Sequence, residues 1–193
     1  FDNRYGVCRD KAALLVEMFR IAGIKAFPVL IHAGAKMDEE VPLPYFNHAI
    51  VAVESTGDEI KKHGKYILMD PTNETARDLF PTYLSDKSYL VARPEGEKLL
   101  TSPVVPVTDN MYKVKSNGSL SPDGAIILES EMSFGGINDI AYRSSFRRRT
   151  DRERRQMFQR WMERISSGAE LLSVQISPKE LGDTETPLTV KLT

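Results

Sequence analysis

Apolar and polar positions follow two rhythms along this chain, one of three to four residues and one of two. Ala12, Leu15, Val16, Phe19 and Ala22 recur at helical spacing and Gly23 follows, which predicts a helix over residues 8–22. Residues 24–32 are apolar and rich in β-formers, a strand in which Pro28 points to an edge or a bulge. Residues 33–45 carry Gly34, Pro42, Pro44 and the acids Asp38, Glu39 and Glu40, the pattern of an exposed loop. Strands are predicted at Phe46–Glu54 and Lys65–Asp70, on either side of a polar connection containing Gly57 and Gly64, and Asp70-Pro71-Thr72-Asn73 closes that hairpin. Leu84–Ala92 adds a strand, and Pro94, Pro103 and Pro106 then mark a linker over 93–110.

Beyond the linker, Met111–Leu120 and Ala125–Phe134 flank Ser121-Pro122-Asp123-Gly124, a strong turn signal, and Gly135-Gly136 breaks the second strand. A helix is predicted from about 151 to 166. Thr150 and Glu153 form its capping box, and Met157, Phe158, Trp161, Met162 and Ile165 its apolar face. Two strands near 170–177 and 187–193 complete the pattern. The reading is an α+β chain of two parts, residues 1–92 and 111–193. Leu15, Val16, Phe19, Val29, Ile50 and Ile67 are expected to build the first core. Val114, Ile127, Leu128, Phe158, Trp161 and Val174 are expected in the second.

Composition narrows the function classes. A chain of 193 residues, 41% hydrophobic and 27% charged, is long enough for a buried core and is not disordered. Its 26 basic and 27 acidic residues leave a net charge of −1, so nothing global asks for nucleic acid or an anionic membrane. The basic residues are unevenly placed: the segment 143–164, with nine arginines from Arg143 to Arg164, carries +6 and the rest −7. Phe158 and Trp161 belong to the helix's apolar face and do not serve as stacking aromatics among those arginines, so the segment reads as a solvated helix face or one docked on an acidic neighbouring domain. No apolar run is long enough to cross a bilayer. One cysteine excludes an intramolecular disulfide framework and a Cys-rich zinc site. Phe1 without an initiator Met, and the strand-like ending Pro187–Thr193, read as the ends of a piece cut from a longer protein.

Three residues carry candidate chemistry. Cys8 falls in the first turn of the first helix, where unpaired N–H groups and the dipole favour a thiolate; a packed, inert cysteine is the plainer alternative. His48 lies in an otherwise apolar strand and Asp70 ends the next one. If Glu54 pairs with Gly64, the same register sets His48 directly opposite Asp70 on one face. A carboxylate there fixes the imidazole tautomer and stabilises imidazolium, as a thiol–imidazole catalyst requires. His32 and His63 have no ligand-spaced partners and read as a strand end and an exposed loop.

The segment Gly6-Val7-Cys8-Arg9-Asp10-Lys11 and the helix it opens, with Asn47-His48-Ala49 and Asp70-Pro71-Thr72 following in that order, resemble the Cys, His and Asp motifs of the transglutaminase-like superfamily. The resemblance covers residues 1 to about 92. It is nearest to bacterial multidomain proteins in which this core is followed by a β-rich module, which residues 111–193 resemble on weaker motifs. It implies a papain-like core, truncated at its N-terminus, with a smaller β-rich module and one helix, truncated at its C-terminus. It implies Cys8 as nucleophile, His48 as general base and acid, and Asp70 as the group orienting His48. The implied reaction is acyl transfer from a peptide or protein amide through a thioester, with hydrolysis favoured over crosslinking and cell-wall peptide among the substrates. The implied setting is periplasmic or cell-surface. No cofactor or metal is implied, no nucleic-acid partner is expected, and the remaining partners are the flanking domains of the same chain. A family departure accompanies this: only seven residues precede Cys8, so an upstream second oxyanion donor is not identified. The alternative from another class is a non-catalytic binding or scaffold module of such a multidomain protein.

Overall fold

The computed structural model describes residues 5–37 and 45–193. The acidic part of the expected loop, 38–44, lies outside the described residues. The chain is α+β and divides into two compact units, residues 1–74 with 78–105, and residues 75–77 with 106–193.

The first unit opens with helix α1, Cys8–Ile21, followed by β1, Ala26–Ile31, and β2, His48–Glu54. A short helix α2, Glu59–His63, leads to β3, Tyr66–Met69; β4, Ser88–Val91, and β5, Leu100–Thr101, follow. These strands form one antiparallel sheet in the order β3-β2-β1-β4-β5. β2 is therefore covered on both edges and both faces. Alternation divides its side chains: Ala49, Val51 and Val53 pack with Ala12 and Val16 of α1, while Ile50 and Ala52 join Val29, Ile31, Leu68, Leu84 and Val91 on the other face. Of the six residues expected in this core, Val16, Val29 and Ile50 are fully buried, and Leu15, Phe19 and Ile67 pack at the margin of the α1 layer.

Three expectations need correction. Pro28 lies in an interior strand rather than an edge: it sits opposite Val51, and its carbonyl accepts from Ala92 N–H at 2.9 Å just past the end of β4, where the ladder has already stopped. The connection between β2 and β3 contains α2. Gly64 caps that helix at φ 72° and cannot continue a strand, so pairing starts with Glu54 opposite Tyr66 instead of Gly64. The stretch expected as a linker holds structure in both halves, a strand at Leu100–Thr101 and a 3₁₀ turn at Val107–Asn110. β5 extends the first sheet, and Ser102 Oγ donates to Leu84 O at 2.6 Å and accepts from Lys87 N–H at 2.8 Å.

In the second unit, β6, Tyr112–Leu120, and β7, Ile126–Phe134, form a long hairpin around the expected turn. Helices α3, Ile137–Arg147, and α4, Asp151–Ile165, and strands β8, Val174–Ser177, and β9, Thr189–Leu192, complete a four-stranded antiparallel sheet in the order β6-β7-β9-β8. The capping box at Thr150 is formed, with Glu153 N–H donating to the Thr150 hydroxyl and Glu153 accepting from Thr150 N–H. Phe158 is fully buried, and Met157, Trp161, Met162 and Val174 pack around it against Phe134, Phe146, Leu188 and Val190. Val114, Ile127 and Leu128 are exposed instead of buried. For Ile127 and Leu128 the reason is length: β9 pairs only with residues 130–133 of β7, so the outer half of the hairpin runs past the layer that would cover it, while Val114 sits on β6, the edge strand of the sheet.

Helix α3 was not foreseen, because its apolar stripe is interrupted by an arginine. Arg143, expected on a solvated face, is fully buried. Its Nε and Nη2 donate to Asp139 at 2.7 and 3.1 Å, and its remaining N–H groups reach Asp183 O and Thr186 O. Asp139 also accepts from Leu188 N–H at 2.9 Å, so one ion pair ties α3 to the start of β9. Breaking a buried pair strands a charge. Asp139→Ala is expected to cost about 3–5 kcal/mol in urea unfolding, and Asp139→Leu with Arg143→Met to recover part of that loss. A loss of less than about 1 kcal/mol for the single variant would show that the pair holds nothing together.

Candidate functional site

The three residues singled out in the sequence converge at one end of the first unit's sheet. α1 places Cys8 at its first position. Val7 precedes it in extended conformation, and Val7 N–H donates back to Asp10 Oδ2 at 3.0 Å, fixing the entry of the helix. β2 begins at His48, and Asp70 follows the last residue of β3, its own N–H donating to Leu79 O at 2.9 Å.

His48 Nε2 donates to Asp70 Oδ2 at 2.8 Å, and the thiol of Cys8 lies within hydrogen-bonding contact of the same imidazole. With Nε2 held by the carboxylate, Nδ1 is the nitrogen left to face the sulfur. The contact between His48 and Asp70 is reached by a route other than the expected one. Val51 pairs with Met69, which extrapolates to Asp70 opposite Ile50, two residues from His48. An even offset preserves the face, so the side chains meet diagonally instead of directly across the ladder.

Asp70 is the most heavily bonded group in the site. Its side chain is buried. Oδ1 accepts from Thr72 N–H at 2.9 Å and Thr72 Oγ1–H at 2.6 Å, and Oδ2 accepts from Tyr83 O–H at 2.6 Å as well as from His48. Burial alone would raise the Asp70 carboxyl; the hydrogen bonds from His48, Thr72 and Tyr83 outweigh it and hold it at about 2. The bond to Asp70 likewise pushes His48 above the ordinary histidine value against the opposing effect of burial. Burial would raise the Cys8 thiol, and contacts with His48 and with the backbone N–H groups of Ala49 and Arg9 turn that into a net lowering. The three shifts, down for Asp70 and Cys8 and up for His48, all favour the charged forms. They favour a thiolate facing an imidazolium backed by a carboxylate.

Thr72 and Tyr83 were not identified from the sequence as parts of the site. Thr72 had a usable signal, since a turn-forming Asp accepts from the backbone N–H two residues on in an Asx turn, which is the position Thr72 holds. Tyr83 had none. It stands thirteen residues from Asp70 in a 3₁₀ turn, Thr82–Leu84, and only the fold brings it near. His32 and His63 stay outside the site: His32 Nδ1 accepts from Gly34 N–H at 3.1 Å, and His63 pairs with Glu59 on α2 at 3.2 Å. Among the described residues no group of three or more His, Cys, Asp or Glu side chains could hold a metal ion, and no helix is long and apolar enough to cross a membrane.

Asp70 sets a pH limb on stability. Its folded value of about 2 lies below its ordinary 3.8, so its contribution is complete above pH 3.8 and is lost as pH falls through 2. The loss is about 2 kcal/mol. His48 has the opposite sign: its contribution is present below pH 6.5 and is lost as pH rises through its raised folded value. Urea unfolding between pH 2 and 5 should show the acid limb in the wild-type protein and a flattened limb in Asp70→Asn. An equal slope in both proteins would contradict the assignment. Comparison of the chain with family models, with curated proteins and with solved structures finds no match.

Proposed function

We propose that this chain carries a thiol-dependent acyl-transfer site of the papain-like, transglutaminase-like kind, acting on peptide or protein amides. The observation that carries the reading is the linked set Cys8–His48–Asp70, in which a thiol at a helix N-terminus meets an imidazole whose other nitrogen is fixed by a buried, ionised carboxylate. In this reaction the Cys8 thiolate attacks the amide carbonyl and the C–N bond breaks. The proton held on His48 passes to the leaving amine, and the acyl group remains on sulfur as a thioester. Water, deprotonated by His48, then cleaves the thioester and returns the thiol; an amine in place of water gives a new amide instead. Asp70 keeps the imidazole in one tautomer and steadies its positive form through both steps. In this scheme the backbone N–H of Cys8, in the first turn of α1, serves as one donor to the oxyanion. Hydrolysis is the favoured outcome, on analogy with bacterial members of the superfamily.

The test is hydrolysis of a mixed peptide pool, followed by the appearance of new amines and by mass spectrometry of the protein for an acyl group on Cys8. Wild-type protein should release amines and carry the adduct. Cys8→Ser and His48→Ala should lower the rate by roughly four orders of magnitude. Release of amines at equal rates by wild type and Cys8→Ser would contradict the proposal, as would the absence of any adduct on Cys8 with activated esters.

A further inference from the structure

Tyr83 belongs to neither of the two layers that position Cys8 and His48, yet its hydroxyl donates to the same oxygen of Asp70 that receives the imidazole. The two donors lie at 2.6 and 2.8 Å from Oδ2. Its turn is well anchored: Pro81 and Leu84 on either side are buried, Leu84 N–H donates to Pro81 O at 3.0 Å, and Ser85 N–H donates to Thr82 O at 2.9 Å. The opposite oxygen, Oδ1, is occupied by the two donors of Thr72. All strong acceptor directions of the carboxylate are therefore used, and the group is left no rotational freedom.

We propose that Tyr83 is a fourth member of the site, a positioning residue that selects the Asp70 oxygen used by His48 and tempers the pull of that oxygen on the imidazolium. The proposal rests on reading Cys8, His48 and Asp70 as the reacting set. The physical basis is competition for one oxygen. A second strong donor on Oδ2 draws off part of the electron density that would otherwise hold the His48 proton. An imidazolium bound too firmly gives up its proton too slowly to the leaving amine, and Tyr83 keeps it from that extreme. Burial and the bond to Asp70 push the Tyr83 hydroxyl above its ordinary value, so it remains a donor over the whole range in which His48 titrates. The titratable groups acting on His48 are Asp70 and Cys8; Tyr83 has Asp70 as its titratable neighbour and is also hydrogen-bonded by the neutral side chains of Thr72 and Asn73.

The experiment is an NMR titration of the His48 Cε1 proton in wild type and Tyr83→Phe, with the pH dependence of Cys8 alkylation by iodoacetamide measured on the same samples. Removal of the hydroxyl should raise the His48 midpoint by about half a pH unit and move the alkylation limb by the same amount. A midpoint that is unchanged or lowered in Tyr83→Phe overturns the proposal. If that variant does not fold, wild-type protein gives the answer by itself: the Tyr83 ring resonances should shift with the same midpoint as His48, and their failure to do so also overturns it. Failure of the reacting-set reading has its own signature, a wild-type alkylation profile identical to that of a free thiol. The response of His48 to the Tyr83 hydroxyl remains measurable in that case.

Discussion

A buried carboxylate with every strong acceptor direction filled is the constraint on which the site depends. Asp70 leaves water on folding, which by itself would favour its neutral form, and four hydrogen bonds from three side chains and one backbone N–H keep it ionised instead. A negative charge fixed in that way dictates the rest. It holds the imidazole by Nε2, raises the proton affinity of His48, and through His48 makes a thiolate at Cys8 less costly. The fold supplies the rigidity this needs. β2 lies between two strands and between two apolar layers, so His48 starts from a backbone that cannot drift, and α1 is packed on the same strand through Ala12 and Val16.

Much of this was legible in the sequence because the signals were local. Period and capping placed α1 and α4 to within a residue, and Ser121-Pro122-Asp123-Gly124 marked the one long hairpin correctly. Cys8, His48 and Asp70 could be singled out because each combines a chemically capable side chain with a special setting: a helix start, an otherwise apolar strand, a strand end. The register between β2 and β3 was misread by two residues, since a glycine that looks like a strand neighbour in sequence serves as a helix cap in space. The error was harmless to the site for a geometric reason. A shift by two leaves both side chains on one face, whereas a shift by one would have separated them. Tyr83 was invisible because nothing in the thirteen residues between it and Asp70 encodes their meeting.

The second unit repeats the same physics without the chemistry. Arg143 and Asp139 are buried, paired and fully hydrogen-bonded, and the pair disguises α3 by placing a charge in the middle of its apolar stripe. Periodicity reads hydrophobicity one residue at a time and has no means of seeing that an arginine has been neutralised four positions earlier. The exposed outer half of the β6–β7 hairpin shows the converse. There Ile126, Ile127 and Leu128 form a continuous apolar run on a regularly paired strand, and all three are exposed, because an apolar strand pattern marks side chains that could be buried and not whether anything covers them.

The central claim is that His48 and Asp70 hold the Cys8 thiol in an environment that favours its ionised form. The chain contains a single cysteine, so the thiolate absorbance near 240 nm belongs to Cys8 alone. Its pH titration, in wild type and in His48→Ala, is the most direct measurement. The account predicts a wild-type midpoint clearly below the value of a free thiol, about 8.5, and a return toward that value in His48→Ala. A wild-type midpoint at or above the free-thiol value, or one unmoved by the loss of His48, would contradict it.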